Sequence, residues 1–215
     1  MVRIFAVSGF KDSGKTTLCR RLIYELSSMG IKTGYVKRTS EDVFEDRSTD
    51  TAFVRDAGIR SVLWGHDGIR AEERADAVFD IDRIVSNYFP DADIVIVEGG
   101  KHLDLPKIWV ENNEPHGSDV TGIFMTYDRN KPSDGICRFT KGDERKMAEK
   151  LAQSVIGDNY RSAAVFINDR QLPMKNFIAD FIRGSIIGMI SSLKGADASD
   201  RIKIFVKHDR DSRSR

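Results

Sequence analysis

Gly9-Phe10-Lys11-Asp12-Ser13-Gly14-Lys15-Thr16 fits the pattern G-x-x-x-x-G-K-[ST] at every fixed position. The residues before it, 3–8, form a short β-branched and aromatic run. After it Leu18, Leu22, Ile23 and Leu26 recur at helical spacing up to Gly30. Strand, glycine-rich loop and helix in that order are the setting in which such a loop cradles phosphate. The glycines let successive backbone N–H groups turn inward, and the helix N-terminus adds the positive end of its dipole. Gly9, Phe10, Lys11, Asp12, Ser13, Gly14, Lys15, Thr16 and Thr17 are therefore the expected nucleotide-binding residues. Lys15 is expected to reach the β- and γ-phosphates as a catalytic counter-charge. Thr16 is expected to offer its hydroxyl to Mg2+ bridging the same phosphates.

Outward from this loop, strand and helix patterns alternate. Residues 32–37 read as a second strand, 39–49 as a polar loop, and 50–57 as a helix closed by Gly58. The run 59–64 is a further strand candidate, and 80–89 reads as a helix ended by Pro90. Asp93-Ile94-Val95-Ile96-Val97-Glu98 is continuously apolar between two carboxylates, as expected of a parallel strand buried on both faces. Residues 107–110 and 122–127 are strand candidates, and 141–156 gives a helix with Met147, Leu151 and Val155 on one face. The fold class is α/β, a mostly parallel sheet flanked by helices of the P-loop NTPase type, over residues 1–159. From 160 to 215 a strand-helix-strand pattern (163–168, 175–193, 202–206) predicts a small α+β extension. Its charged, Ser-rich tail, 209–215, is expected to be disordered.

A metal-bound nucleotide also needs carboxylates at strand ends beside the loop. Glu98 ends the most apolar strand and precedes Gly99-Gly100, which permits close approach of a ligand; it is the expected catalytic and metal-binding carboxylate. Asp50 is a second metal candidate at a helix start, where it could equally serve as an N-cap. Lys37, Arg38 and Lys101 lie at or beyond strand ends, facing either an anionic ligand or solvent. No Asn-Lys-x-Asp guanine-reading motif occurs; Thr126-Tyr127-Asp128 stands where base-contacting loops of such sheets lie. Cys19 reads as a small buried residue or as a thiol beside the loop. The four histidines lack mutual ligand spacing.

The 215 residues are 40% hydrophobic and 31% charged, within the range of folded soluble domains. A net charge of +1, from 34 basic and 33 acidic residues, gives no general footprint for nucleic acid or an anionic membrane. The apolar stretch 177–193 carries Asp180 and Arg183 and is too short to span a bilayer. Two cysteines, and an N-terminus that turns to the glycine loop before a signal-peptide core could form, point to the cytoplasm.

Several stretches together resemble the MobB family. They are the phosphate loop, Val36-Lys37-Arg38-Thr39, Asp50-Thr51 with Ala57-Gly58, and Val97-Glu98-Gly99-Gly100-Lys101-His102 followed by Leu105-Pro106-Lys107-Ile108. The resemblance implies a dimeric, weakly hydrolysing GTP-binding protein. Such a protein assists the guanylyltransferase that attaches GMP to molybdopterin, with Arg or Lys residues contacting the pterin phosphate or the partner. The family's usual histidine-rich patch after the second strand is replaced by Arg38 and Ser40-Glu41, and its Gly-Lys before the Asp-Thr pair by Ser48-Thr49. The segment after 160 resembles an extension in some archaeal members. Two other readings compete. One is an ATP-dependent small-molecule kinase or ligase of the dethiobiotin synthetase type; the other is a scaffold in which nucleotide only stabilises a dimer.

Overall fold

Every residue of the run Ile94–Glu98 is buried. This strand, β5, lies inside a six-stranded parallel sheet with the order β2 (Thr33–Lys37), β5, β1 (Arg3–Gly9), β6 (Lys107–Val110), β7 (Ile123–Tyr127) and β8 (Arg138–Phe139). The structure is a computed structural model and describes residues 2–44, 49–75, 80–112, 114, 116–156, 163–194 and 202–206.

Side-chain alternation along the central strands sorts the core into two layers. Phe5 and Val7 of β1 join Ile94 and Ile96 of β5 beneath α1 (Lys15–Ser28) and α4 (Glu144–Ile156), through Leu18, Leu22, Leu26, Met147 and Leu151. Val95 and Val97 face the other way, packing with Val85 of α3 (Ile81–Tyr88) and with Ile81 and Phe89. Fully burying one such aliphatic side chain contributes about 1.5–3 kcal/mol. These layers therefore fix which face of β5 looks at α1.

Three features differ from the expectations. The strand foreseen over 59–64 begins at Ser61 and stays out of the main sheet: β3 (Ser61–Trp64) pairs antiparallel with β4 (Ile69–Glu72), Trp64 opposite Ile69. The strand foreseen over 163–168 shrinks to β9 (Phe166–Ile167), which pairs with β10 (Arg170–Gln171) through Asn168 and Asp169. Both turn residues have positive φ, 50° and 66°, as a tight hairpin turn requires. The strand foreseen over 202–206 is absent. Those residues have no regular structure, Phe205 is 92% and Val206 85% exposed, and a strand without a partner ladder has nothing to satisfy its backbone groups. The tail 209–215 lies outside the described residues.

The chain divides into two compact units. The first is Met1–Tyr160 with Val165–Leu172, so the β9–β10 hairpin belongs to it; the second is Arg161–Ala164 with Pro173–Arg215 and contains α5 (Asn176–Ser191). A short helix, α2 (Asp50–Asp56), precedes β3. Its Arg55 is buried against Glu72 of β4, with Nη1 3.1 Å from Oε2 and the guanidinium 4.0 Å over the Phe44 ring. Among the described residues no helix is long and apolar enough to cross a membrane.

Candidate functional site

The loop between β1 and α1 has the shape its sequence demands. A Cβ on Gly9 would come within 2.6 Å of the Val110 carbonyl oxygen and 2.8 Å of Ser13 Oγ. Asp12 has φ 58°, tolerated best by Asp, Asn and Gly, and Gly14 has φ 96° as the residue preceding α1. No side chain caps that helix start, which leaves its first amides available to an anion. Ser13 Oγ is buried and has no hydrogen-bond partner among the described residues, which leaves a donor available to an anion in the loop. The Lys15 ammonium folds back and donates to the Phe10 carbonyl. Burial holds Lys15 below its usual lysine value, with the nearby Glu98 carboxylate pulling the other way. Lys11, Asp12, Thr16 and Thr17 are exposed along the rim.

Phe10 is fixed from below. Its ring stands edge-on to Trp109 of β6 at 5.6 Å, and Trp109, fully buried, stands edge-on to His116 at the same distance. Sequence reasoning did not foresee this support. Its only trace is an aromatic side chain in β6 opposite Ser8, one residue before the loop begins.

Glu98 follows from period two. It shares a face with Ile94 and Ile96, and that face looks at α1. Thr16 Oγ1 accordingly donates to Glu98 Oε1 at 2.7 Å. The other carboxylate oxygen, Oε2, accepts from the Tyr35 hydroxyl at 2.7 Å. Tyr35 was missed by the sequence reading, yet its placement is legible: β2 pairs in parallel register with β5, so Tyr35 opposite Ile96 shares the face of Glu98. Burial and the Glu98 charge push the Tyr35 phenol above its usual value, so it stays a donor. Gly99 follows with φ 94°, and a Cβ there would lie 2.7 Å from the Arg38 carbonyl oxygen.

One carboxylate, one threonine hydroxyl and an orphaned serine hydroxyl around uncapped amides fit a magnesium-nucleotide. Mg2+ takes hard oxygens and is ordinarily held by one or two protein groups plus the phosphates. Among the described residues no cluster of three His, Cys, Asp or Glu could bind a metal independently. Asp50 is not brought into this network. It is exposed in the first turn of α2, where Thr49 serves as the cap by accepting from Ala52 N–H at 3.2 Å. Lys37, Arg38 and Lys101 are exposed, and Lys37 lies opposite Glu98 in the register. Asp128 is buried; its Oδ1 accepts from Asn130 N–H, and its Oδ2 accepts no hydrogen bond but lies 3.2 Å from Lys131 Nζ. His102 is half-exposed and pairs with Asp119 at 3.2 Å. Cys19 is buried, and burial together with the Glu98 charge pushes its thiol up to about 12, which leaves it inert as a nucleophile.

The sequence pattern of molybdopterin guanine dinucleotide synthesis protein B, MobB, matches residues 4–121, more than half of the chain. The chain belongs to the MobB family. The matched span carries the phosphate loop, Tyr35, Glu98 and Lys107. A molybdopterin-guanine dinucleotide biosynthesis adapter protein of Methanocaldococcus jannaschii is 26% identical over 95% of this chain and 97% of its own length. The adapter protein of Escherichia coli is 30% identical over 50% of this chain and 65% of its own. A crystal structure of molybdopterin-guanine biosynthesis protein B superposes with TM-score 0.56 at 24% identity, covering 70% of this chain and 99% of that one. The MobB homologue of Bacillus stearothermophilus does so with TM-score 0.52 at 21% identity, covering 72% and 98%. These structures share the fold of the sheet and its helices.

Proposed function

We propose that this chain is a GTP-binding accessory factor of molybdopterin guanine dinucleotide synthesis. On this reading it holds the triphosphate at residues 9–17, hydrolyses it slowly and assists the guanylyltransferase in the cytoplasm. The observation that carries this is the 2.7 Å contact between Thr16 Oγ1 and Glu98 Oε1 beside an uncapped helix start, the pairing a magnesium-nucleotide site needs. Bound Mg2+ would neutralise phosphate charge between that hydroxyl and that carboxylate. Lys15 exchanges the Phe10 carbonyl for a phosphate oxygen, Ser13 Oγ gains its first partner, and the Gly9 and Gly14 backbones allow close approach.

A homodimer is part of the reading. It is supported by the β3–β4 hairpin, which exposes Val62, Leu63, Trp64 and Ile69 and has no further strand along its edges among the described residues. Membership of the family and the names of the Methanocaldococcus jannaschii and Escherichia coli relatives support the pathway. Titration calorimetry with GTP and ATP, with and without Mg2+, tests the base and the metal. The reading expects tighter GTP, strengthened by Mg2+, and turnover far below the 1–100 per second of kinases. Equal ATP affinity with rapid phosphorylation of a small acceptor would establish the kinase or ligase alternative. Lys15→Ala should remove nucleotide binding and the stimulation of cofactor assembly together. Stimulation surviving without nucleotide would establish the scaffold alternative.

A further inference from the structure

The sheet order fixes the direction in which a nucleotide must lie. On the nucleotide-site reading, Thr16 of α1 with Glu98 of β5 and Tyr35 of β2 marks the metal and terminal-phosphate end, and β5 and β2 stand on one side of β1. The remainder of a nucleotide then leaves the loop over the other side, toward the carboxyl ends of β6, β7 and β8. The segment leaving β7 is Asp128-Arg129-Asn130-Lys131. Asp128 is held locally: Oδ1 accepts from Asn130 N–H at 2.9 Å, and Oδ2 accepts no hydrogen bond but lies 3.2 Å from Lys131 Nζ as an ion pair.

That tightened turn aims Arg129 back at the phosphate loop. A Cβ built on Gly14 would lie 1.9 Å from Arg129 Nη2 and 2.6 Å from Cζ, so the guanidinium occupies the space a side chain at position 14 would need. Near the guanidinium is the Tyr127 phenol, which is anchored by donating to Glu144 Oε1 at 2.8 Å. Arg129 is exposed and forms no ion pair among the described residues. An exposed guanidinium held against the anion-binding loop, with its planar fork of donors uncommitted to a carboxylate, has the chemistry of a phosphate contact. Ser13, which precedes Gly14 and lies beside Gly9, has a buried hydroxyl with no hydrogen-bond partner among the described residues, a donor free for an anion in the same loop.

Resting on the nucleotide-site reading, we propose that Arg129 is a nucleotide-binding residue. It contacts the non-transferred part of a nucleoside polyphosphate, its α-phosphate and ribose, across Gly14. Such a contact contributes equally to a di- and a triphosphate, whereas Lys15 and Thr16 favour the triphosphate.

The test is calorimetric titration of the full chain with GTP, GDP, ATP and ADP, comparing the parent with Arg129→Ala and Arg129→Lys. The expected result is a tenfold or greater loss for Arg129→Ala that is the same factor for GDP and GTP, partly restored by Arg129→Lys, with ligand-free thermal unfolding unchanged. Should Arg129→Ala be poorly folded, Arg129→Lys and Arg129→Gln carry the comparison. Parent affinity in these variants would overturn the proposal and leave the nucleotide site standing. Loss confined to the triphosphates would overturn the placement at the nucleoside end. A parent that binds no nucleotide at all would overturn the site reading and this inference with it.

Discussion

Tyr35→Phe removes one oxygen and no shape, and its consequences divide into two measurable parts. In the parent the Tyr35 hydroxyl donates to Glu98 Oε2 at 2.7 Å, while Thr16 holds Oε1. A hydrogen bond to a charged group contributes about 1.5–3 kcal/mol. Glu98 is 5% exposed but Tyr35 is 39% exposed, so water can replace the phenol in part, and about 1 kcal/mol of stability should be lost. For a chain of this size that is about 2–4 °C in Tm. The second part is orientation. A carboxylate torsion is broad, so Oε1 keeps its aim at Thr16 only while Oε2 is anchored. Losing an outer partner of a metal-binding carboxylate ordinarily costs about 10–100-fold in metal affinity. Mg2+ titrated against GTP hydrolysis at saturating nucleotide should therefore show a half-saturating concentration raised about tenfold, while metal-free nucleotide affinity is unchanged. A Mg2+ curve superposable on the parent's, with the small Tm loss present, would refute the positioning role and leave Tyr35 a packing residue.

Gly99→Ala and Gly30→Ala form a controlled pair. Both positions have positive φ, 94° and 77°, but a Cβ at 99 meets the Arg38 carbonyl oxygen at 2.7 Å and one at 30 meets nothing within 4 Å. Gly30→Ala should cost about 1–2 kcal/mol from backbone conformation alone, and Gly99→Ala clearly more, with weakened nucleotide binding; equal losses in urea unfolding would contradict the close approach. Arg55→Met leaves the Glu72 carboxylate, 6% exposed, without its buried partner, although Arg70 Nη2 remains 2.8 Å from the other oxygen. A loss of about 3 kcal/mol is expected, and a change below 1 kcal/mol in denaturant unfolding would show that Arg70 suffices. A thiol reagent at pH 8 should modify exposed Cys137 quickly and Cys19 only on unfolding, because burial and Glu98 push the Cys19 thiol up to about 12. Fast double labelling of the folded chain would refute this.

The sequence made the phosphate loop and β5 legible because each carries a strong local signal: fixed glycines at fixed spacing, and five apolar or terminal residues without interruption. Glu98 was legible for the same reason, as the end of such a strand. Tyr35 was not, because its role depends on register with a strand some sixty positions later, which periodicity within β2 cannot reveal. β8 and β10 are two residues each, too short to show a period of two, and are made strands by their neighbours' hydrogen bonds. Residues 202–206 show the reverse error, a β-branched and aromatic pattern with no ladder to join. Asp50 read equally well as a cap or a ligand; the cap itself turned out to be the preceding residue, Thr49.

Lys107 shows how a specific motif can be structural. It lies in Pro106-Lys107-Ile108, is fully buried in β6, and its ammonium donates to the Leu103 and Leu105 carbonyls. Burial lowers its pKa, with the nearby Asp104 carboxylate pulling the other way. The loop 99–105 leaves Glu98 through two glycines of positive φ and has little apolar side chain to anchor it beyond Leu103 and Leu105. A buried cation gripping its carbonyls therefore takes the place of a hydrophobic anchor. It also couples the geometry just after Glu98 to β6, the strand whose Trp109 supports Phe10. The Glu98 carboxylate and the glycine-rich loop are thus braced by one strand, and a substitution at Lys107 should disturb both ends of the proposed nucleotide site together.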